Sequence, residues 1–242
     1  MRVLVRLVLD DRPGALSRAG AAIAEAGGDI VAMDVVDRDQ STVTDDFVVE
    51  LNPGDSGDLG TLANRLSEVP GVVVECVRPT PQAQLHRELE LITTLAVDPK
   101  PSLDRLDLLA RLVPAIIRCD WAVVVSSAGA AVGITHSSVS GPRIRWASLP
   151  WLPLREATTI DPDEQWVPSA WHGPKLALAA APIDPRTSVL ACRSEGPEFR
   201  PPEVVQLDQL GALAGRLLPA DTAAGTGSST GRRRQVPSRA RG

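Results

Sequence analysis

The first residues whose types and spacing suit binding chemistry form the loop Asp10-Asp11-Arg12-Pro13-Gly14-Ala15-Leu16. This pattern predicts that a strand ends at Asp10 and that a helix begins with Pro13 at its first position. The backbone N–H groups of residues 14–16 would then lack partners within the helix, and such a helix end attracts a carboxylate. Asp11 supplies the opposite group, a carboxylate that can receive an ammonium ion. The loop therefore predicts a site for a ligand that carries both groups.

A second segment of interest, Ala26-Gly27-Gly28-Asp29-Ile30, ends the predicted helix and begins the next strand. Glycine accepts the left-handed geometry of a helix C-terminus at no steric cost. Asp29 can only accept hydrogen bonds when it is ionised, so with Asp11 it favours an amino group and disfavours an acidic ligand side chain. The alternative is that Asp11 and Asp29 are solvated turn residues and that Gly14 only permits the turn.

The elements that must position these loops follow a βαββαβ order. Residues 2–9 alternate as a strand with one buried side, and Arg2 and Arg6 fall on the other side. The remaining predicted elements are strands at 29–37, 42–51 and 72–77, a helix from Pro13 to about Ala26, and a helix at 59–68. The first helix places Leu16, Ala19, Gly20, Ile23 and Ala24 on one buried stripe. The order predicts a ferredoxin-like unit of four antiparallel strands with both helices on one face.

With the later segment Thr44-Asp45-Asp46-Phe47-Val48-Val49, these loops make residues 1–78 resemble the ACT domain family. Members are small βαββαβ modules that bind amino acids and regulate metabolic enzymes or transcription factors. The resemblance implies a homodimer in which the turn before the second strand completes the site across the interface. The ligand-binding residues that it implies are Asp11, Gly14, Ala15, Leu16, Gly28, Asp29 and Ile30. The sequence departs from many members at Asp29, where they carry Asn.

The rest of the chain predicts a second α+β domain. Its expected elements are helices at 82–96, 102–118 and 202–218 and strands at 121–125, 130–136, 176–181 and 187–193. The stretches 118–125, 188–193 and 197–203 make the segment 84–219 resemble GAF-type domains, which are small-molecule sensors with a central antiparallel sheet. No ligand follows from that resemblance. Because all five tryptophans lie in this half of the chain, we expect the two domains to have cores of different composition.

The tryptophans cluster in residues 137–175, a stretch rich in proline and weak in periodicity. It contains Trp146, Trp151, Trp166 and Trp171. Tryptophans in such a setting either line an apolar pocket or a partner surface, or pack a sheet under long loops. Both interpretations are open from the sequence.

Composition and charge define the domain organisation further. The chain has 242 residues and a net charge of −5, but the segment 220–242 carries five arginines and one acid, so residues 1–219 carry −9. The predicted division is an ACT-like domain at 1–79, a linker and connecting helix at 80–101, a GAF-like domain at 102–219, and a disordered basic tail at 220–242. No apolar run approaches the roughly 20 residues that cross a bilayer, and no signal peptide is predicted. We therefore expect a cytoplasmic protein.

The sequence offers few groups for catalysis. Its three histidines are His86, His136 and His172, and its three cysteines are Cys76, Cys119 and Cys192; none has metal-ligand or redox spacing. Asp45 and Asp46 are adjacent in a strand and point to opposite faces, which argues against a joint metal site. No phosphate-binding glycine loop or hydrolase elbow is present. The prediction is that the chain is not an enzyme and uses no cofactor and no metal.

These observations predict a regulatory protein that senses a small molecule, most directly an amino acid, and forms a homodimer through its first domain. No membrane partner and no sequence-specific nucleic acid are expected, since the two central strands of the first domain offer only Phe47 for base stacking. Two alternatives stand beside this prediction. The chain is a scaffold or interaction subunit that has lost ligand binding, or an enzyme whose site lies in the tryptophan-rich region near His136 or His172.

Overall fold

The computed structural model of the chain describes residues 1–51, 58–80, 102–127, 132–143, 145–146, 149–171 and 175–217. The described residues form two antiparallel sheets, one of four strands and one of six. The predicted helix at 82–96, the basic tail at 220–242, His86 and His172 lie outside the described residues.

The first domain has the predicted α+β architecture. Its elements are β1 (Arg2–Asp10), α1 (Ala15–Glu25), β2 (Gly28–Arg38), β3 (Thr42–Leu51), α2 (Leu59–Ser67) and β4 (Val72–Pro79). The strand order is β2-β3-β1-β4, and every pair is antiparallel. Alternate residues of β1 and β3 form one core with the buried residues of both helices. The βαββαβ prediction is therefore confirmed, with both helices on one face of the sheet.

The start of α1 differs from the prediction in two ways. The helix begins at Ala15 rather than at Pro13, because Gly14 precedes it in a left-handed conformation with φ of 86°. Leu16 was expected on the buried stripe but is 44% exposed, and the residues that face the core are Ala15, Ala19, Ala22 and Ile23. Starting the helix at Ala15 turns Ala15 and Ala22 to the core in place of Leu16 and Ala24.

The second domain contains the six-stranded sheet. Its elements are α3 (Ser102–Ile116), β5 (Trp121–Ser126), β6 (Val132–Ser137), β7 (Arg145–Trp146), β8 (Thr158–Ile160), a 3-10 helix (Ser169–Trp171), β9 (Ala177–Asp184), β10 (Thr187–Arg193) and α4 (Pro201–Leu217). The strand order is β7-β6-β5-β10-β9-β8. The hydrophobic runs of β5 and β10 are buried on both sides of the sheet, as continuous apolar strands require.

The two faces of this sheet carry different cores. Helices α3 and α4 pack on one face. Apolar residues between β7 and β9 cover the other face, including Trp151, Trp166 and Trp171. The rings of Trp121 and Trp171 meet edge to face with centroids 4.7 Å apart, a preferred aromatic geometry. In the described residues these tryptophans therefore pack the sheet.

The face of the first sheet that turns away from α1 and α2 is covered by the second domain. The sequence predicted that Arg6 would lie on an exposed side of β1, and this was wrong: Arg6 is 1% exposed. Leu4 and Val48 on the same face are also buried. The alternating pattern of β1 indicates only that one face of the strand is more polar than the other. A polar face can still be buried when another part of the chain supplies charges that pair with it.

Those charges form an interdomain cluster of Arg6, Asp46, Arg193 and Glu203. Arg6 donates from Nε to Asp46 Oδ1 at 2.6 Å and from Nη2 to Asp46 Oδ2 at 2.8 Å. It also donates to both carboxylate oxygens of Glu203 in α4, at 3.1 and 2.8 Å. Arg193 in β10 binds Glu203 from the other side. Each carboxylate is thus held by paired, charge-assisted hydrogen bonds.

Arg118 attaches the turn before β5 to the same face. Its backbone is left-handed, with φ of 54°, which is uncommon for a residue other than glycine. Its Nη1 donates to Asp46 Oδ2 at 2.6 Å and its Nη2 to Asp34 Oδ2 at 3.3 Å. Its carbonyl oxygen accepts hydrogen bonds from Arg78 at 2.5 Å and Arg193 at 3.2 Å. The unusual backbone therefore places both its guanidinium and its carbonyl oxygen in the interface.

The pKa of Glu203 shows that the arginines of the cluster compensate its buried charge. Burial works to raise the pKa of this carboxyl, but hydrogen bonds from Arg193 and Arg6 outweigh burial and lower the pKa to about 2. Since the ordinary value is 4.5, the resulting stabilisation is complete above pH 4.5 and is lost as the pH falls toward 2. The cluster is therefore intact throughout the neutral range.

Replacing Arg6 by Met should lower the free energy of unfolding by about 3–5 kcal/mol, because it leaves Asp46 and Glu203 buried without their shared cation. The matched control is Arg2→Met in the same strand. The Nε of Arg2 lies 3.7 Å from Oε2 of Glu50, and both side chains are 45% exposed. We therefore expect Arg2→Met to lower the free energy of unfolding by at most about 1 kcal/mol. Chemical denaturation measures the free energy of unfolding of both variants. Equal losses in the two variants would contradict a stabilising role of the interdomain cluster.

Candidate functional site

The loop between β1 and α1 forms the first half of the predicted site. No side chain of the described residues caps α1, so its N-terminus is available to a ligand carboxylate. One of the three predicted donors is occupied, however, because Ala15 N donates to the Arg12 carbonyl oxygen at 3.2 Å. Gly14 exposes its backbone, and the first turn of the helix keeps the partial positive charge of a helix N-terminus.

Asp11 has a partner that the sequence did not indicate. Arg38, at the end of β2, donates to Asp11 Oδ2 from Nε at 2.9 Å and from Nη2 at 2.7 Å. The backbone of Asp11 also donates to the Ser41 carbonyl oxygen at 2.8 Å. The β2–β3 hairpin brings these residues together across 27 positions of sequence, which no local spacing reveals. Asp11 is thus already part of an ion pair.

The second half of the predicted site lies at the opposite end of the sheet. Gly28 pairs with Leu51 and Asp29 with Glu50, whereas Arg38 pairs with Val43 at the other end of β3. Nine residue steps of strand separate Asp29 from Arg38, a distance of about 30 Å. One protomer therefore does not bring Gly28, Asp29 and Ile30 close to the loop that holds Asp11 and residues 14–16.

An apolar surface runs along β2, which is an edge strand of the four-stranded sheet. We call it the edge patch; it consists of Ile30, Met33 and Val35, each between 38% and 55% exposed. Long edge strands with exposed apolar residues are templates for pairing with another strand. The edge patch is therefore exposed apolar surface beside an edge strand, which is the kind of surface that another strand can cover.

Asp45 is a buried acid that the sequence did not single out for ligand binding. It is 4% exposed, and its Oδ1 is buried without a hydrogen-bond partner in the described part of the chain. Burial is the main reason that the pKa of Asp45 is raised, and the neighbouring charges of Asp46 and Asp34 raise it further. Asp46, on the opposite face, is satisfied by Arg6. The sequence signal that could have identified Asp45 is a charged residue at an inward-facing position of an alternating strand.

The remaining candidate groups contribute no assembled site among the described residues. The Nδ1 of His136 lies 3.0 Å from Thr135 Oγ1, and burial lowers the pKa of His136. Cys119 and Cys192 are buried thiols whose pKa is raised to about 12, mainly by burial. The described residues contain no group of three or more potential metal ligands. No helix in the described ranges is long and apolar enough to span a membrane.

Asp45→Asn should raise the melting temperature at neutral pH. The pKa of Asp45 is higher in the folded chain than its ordinary value of 3.8, so the ionised side chain costs stability above that raised pKa. The cost disappears as the pH falls through that raised pKa, so the gain of the variant should be absent below the ordinary value of 3.8. Asp46→Asn is the matched control and should lose about 2 kcal/mol or more. A destabilised Asp45→Asn at pH 7 would show that the carboxylate is paired.

Comparison with known proteins agrees with this geometry in the first domain. The family model of the ACT domain matches residues 3–71, which run from β1 to the residue before β4. No curated protein sequence matches the chain. The match ends before the second domain, so the GAF-like resemblance of 84–219 stays a prediction. The chain is therefore similar to the ACT domain family over its first domain, a similarity that in general indicates a regulatory role involving a small molecule.

Proposed function

We propose that this chain is a non-catalytic regulatory protein whose first domain senses an amino acid at the interface of a homodimer. The observation that carries this proposal is the position of the two predicted half-sites at opposite ends of an edge strand. When a two-fold axis relates two copies of an edge strand, the start of the strand in one protomer lies beside the end of the same strand in the other. Two half-sites that one protomer keeps about 30 Å apart therefore meet in a symmetric pair.

The pairing follows from the length of β2. If two copies of β2 pair antiparallel around Met33, Gly28 of one protomer lies opposite the partner's Arg38, which holds the partner's Asp11. The same pairing covers the edge patch and satisfies the free backbone groups of β2. Each of the two sites would then contain an α1 N-terminus from one protomer and Gly28, Asp29 and Ile30 from the other.

The charges of this interface suit a zwitterion. The α1 N-terminus and Arg38 offer positive charge to a ligand carboxylate, while Asp29 of the opposite protomer offers negative charge to an ammonium group. A ligand that bridges the two protomers stabilises the dimer over the monomer. It therefore changes the population of one state relative to another, which is the requirement for a regulatory signal.

The second domain is placed to receive that signal. It contacts the first domain through the interdomain cluster, so any change in β1 or β3 reaches α4 and β10 through Arg6 and Asp46. An isolated fragment 1–80 would expose Leu4, Arg6, Asp46 and Val48, which are buried in the full chain. Ligand tests therefore require the full chain.

The full chain should gain thermal stability with at least one of the twenty amino acids. A ligand at 100 times its Kd stabilises the bound state by about 2.7 kcal/mol. Differential scanning fluorimetry and calorimetry at neutral pH measure the effect. No response to any amino acid, together with recovery of one stoichiometric protein partner, would replace the sensor by the scaffold alternative.

A mixing experiment tests whether the site lies between protomers. Gly14→Val damages the loop half, because residue 14 needs a left-handed backbone, and Asp29→Arg damages the strand half. Each variant alone should lose binding. A co-refolded equimolar mixture should recover about one quarter of the wild-type binding sites, since half of the dimers are mixed and each contains one intact site. No recovery in mixed dimers isolated by two affinity tags would contradict a shared site.

A further inference from the structure

The turn at residues 117–120, between α3 and β5, is bound by three strands of the first sheet. Arg118 donates to Asp34 in β2 and to Asp46 in β3. Its carbonyl oxygen accepts a hydrogen bond from Arg78 in β4. One short turn of the second domain is therefore attached to three of the four strands of the first sheet.

The left-handed backbone of Arg118 is compensated mainly by the other domain. A residue other than glycine is strained in this conformation, which persists only where the surroundings hold it. The guanidinium and the carbonyl oxygen of Arg118 make four hydrogen bonds with described residues, and three of these join it to the first domain. The fourth comes from Arg193 of its own domain. If the first domain moves away, the backbone conformation loses most of its support.

Some contacts between the domains are more exposed than the interdomain cluster. We call the ion pairs Arg118–Asp34 and Arg78–Asp120 the rim pairs. Their side chains are 24% and 65% exposed in the first pair and 20% and 32% in the second, whereas that of Arg6 is 1% exposed. Water competes for exposed ion pairs, so they open at a lower cost in free energy than buried ones. The rim pairs can therefore open while the interdomain cluster stays closed.

The same turn leads directly into the tryptophan core of the second domain. Cys119 Sγ donates to the carbonyl oxygen of Trp121 at 3.3 Å, and Asp120 Oδ2 accepts from the backbone N–H of Ser194 at 2.6 Å. Trp121 is buried, and its ring contacts that of Trp171. Because densely packed interiors transmit a displacement, movement of the turn shifts Trp121 against Trp171.

We propose that the turn 117–120 is a conformational switch that reports the position of the first domain to the tryptophan core of the second. With the rim pairs closed, Arg118 is left-handed and Trp121 is held against Trp171. With the rim pairs open, Arg118 relaxes to an ordinary backbone conformation and Trp121 moves. The switch requires movement between the domains and no particular ligand, so it goes beyond the proposed function.

Amide hydrogen exchange of the full chain tests the switch. Arg118→Ala removes the guanidinium and leaves a residue that is strained in the left-handed region. It should speed exchange of the Asp120 and Ser194 N–H groups by about 10- to 100-fold, because opening of the turn breaks the hydrogen bonds that protect them. Arg118→Gly lacks the same guanidinium but accepts the left-handed backbone, so it should speed exchange less. Arg111→Ala is the control; its guanidinium pairs with Asp107 on the surface of α3, and it should exchange as wild type does.

Tryptophan fluorescence gives a second measurement, because all five tryptophans lie after residue 120 and the chain has no tyrosine. Asp34→Asn changes only the first domain, at an exposed position of β2, yet it should shift the emission maximum and increase quenching by acrylamide. The same substitution in a Trp121→Phe background should cause a smaller shift. Asp37→Asn is the matched control in β2, since its carboxylate accepts from the backbone of Arg38 within the same strand.

The outcomes separate the parts of the proposal. Wild-type exchange at Ser194 in Asp34→Asn would overturn the switch, even if Arg118→Ala does not fold. Equal exchange in Arg118→Ala and Arg118→Gly would overturn the role of the left-handed backbone. Faster exchange in Asp34→Asn with unchanged tryptophan emission would overturn the link to the tryptophan core. No measurement here uses an amino acid, so failure of the proposed function and failure of the switch are distinguishable.

Discussion

The buried guanidinium of Arg6 is the interaction on which the two-domain arrangement depends. A cation that is 1% exposed is tolerated only when its donors are matched, and here Asp46 and Glu203 match them from two different domains. Asp46 of the first domain accepts two hydrogen bonds from this guanidinium, and Glu203 of the second domain, 197 positions away in sequence, accepts two more. The open face of the first sheet is therefore covered by α4 of the second domain.

The contacts between the two domains determine which residues would carry a signal through the chain. Strand β1 carries Arg6 at its middle and ends at the loop that leads to Gly14, while β2 carries Asp34, which binds Arg118. Both strands of the proposed site therefore contact the second domain through side chains. The connecting helix predicted at 82–96 lies outside the described residues, and the ion pairs provide a link between the domains within them.

Asp45 and Asp46 show how two adjacent acids acquire opposite roles. Strand alternation alone separates them, and it sends one to the interdomain cluster and the other under α1. Asp46 is stabilised because Arg6 and Arg118 both donate hydrogen bonds to its Oδ2. Burial and the like charges of Asp46 and Asp34 raise the pKa of Asp45, so its ionised form is costly.

The sequence by itself determined the order of elements, the core of the first domain and the family likeness, because hydrophobic spacing and glycine breaks are local signals. The predicted strand 42–51 matches β3 residue for residue. Only the tertiary structure decided that Arg6 is buried, that Asp11 is paired with Arg38, and that the two half-sites lie at opposite ends of β2. These facts depend on which distant elements meet, and a pattern within one element carries no information about the charge of its partner.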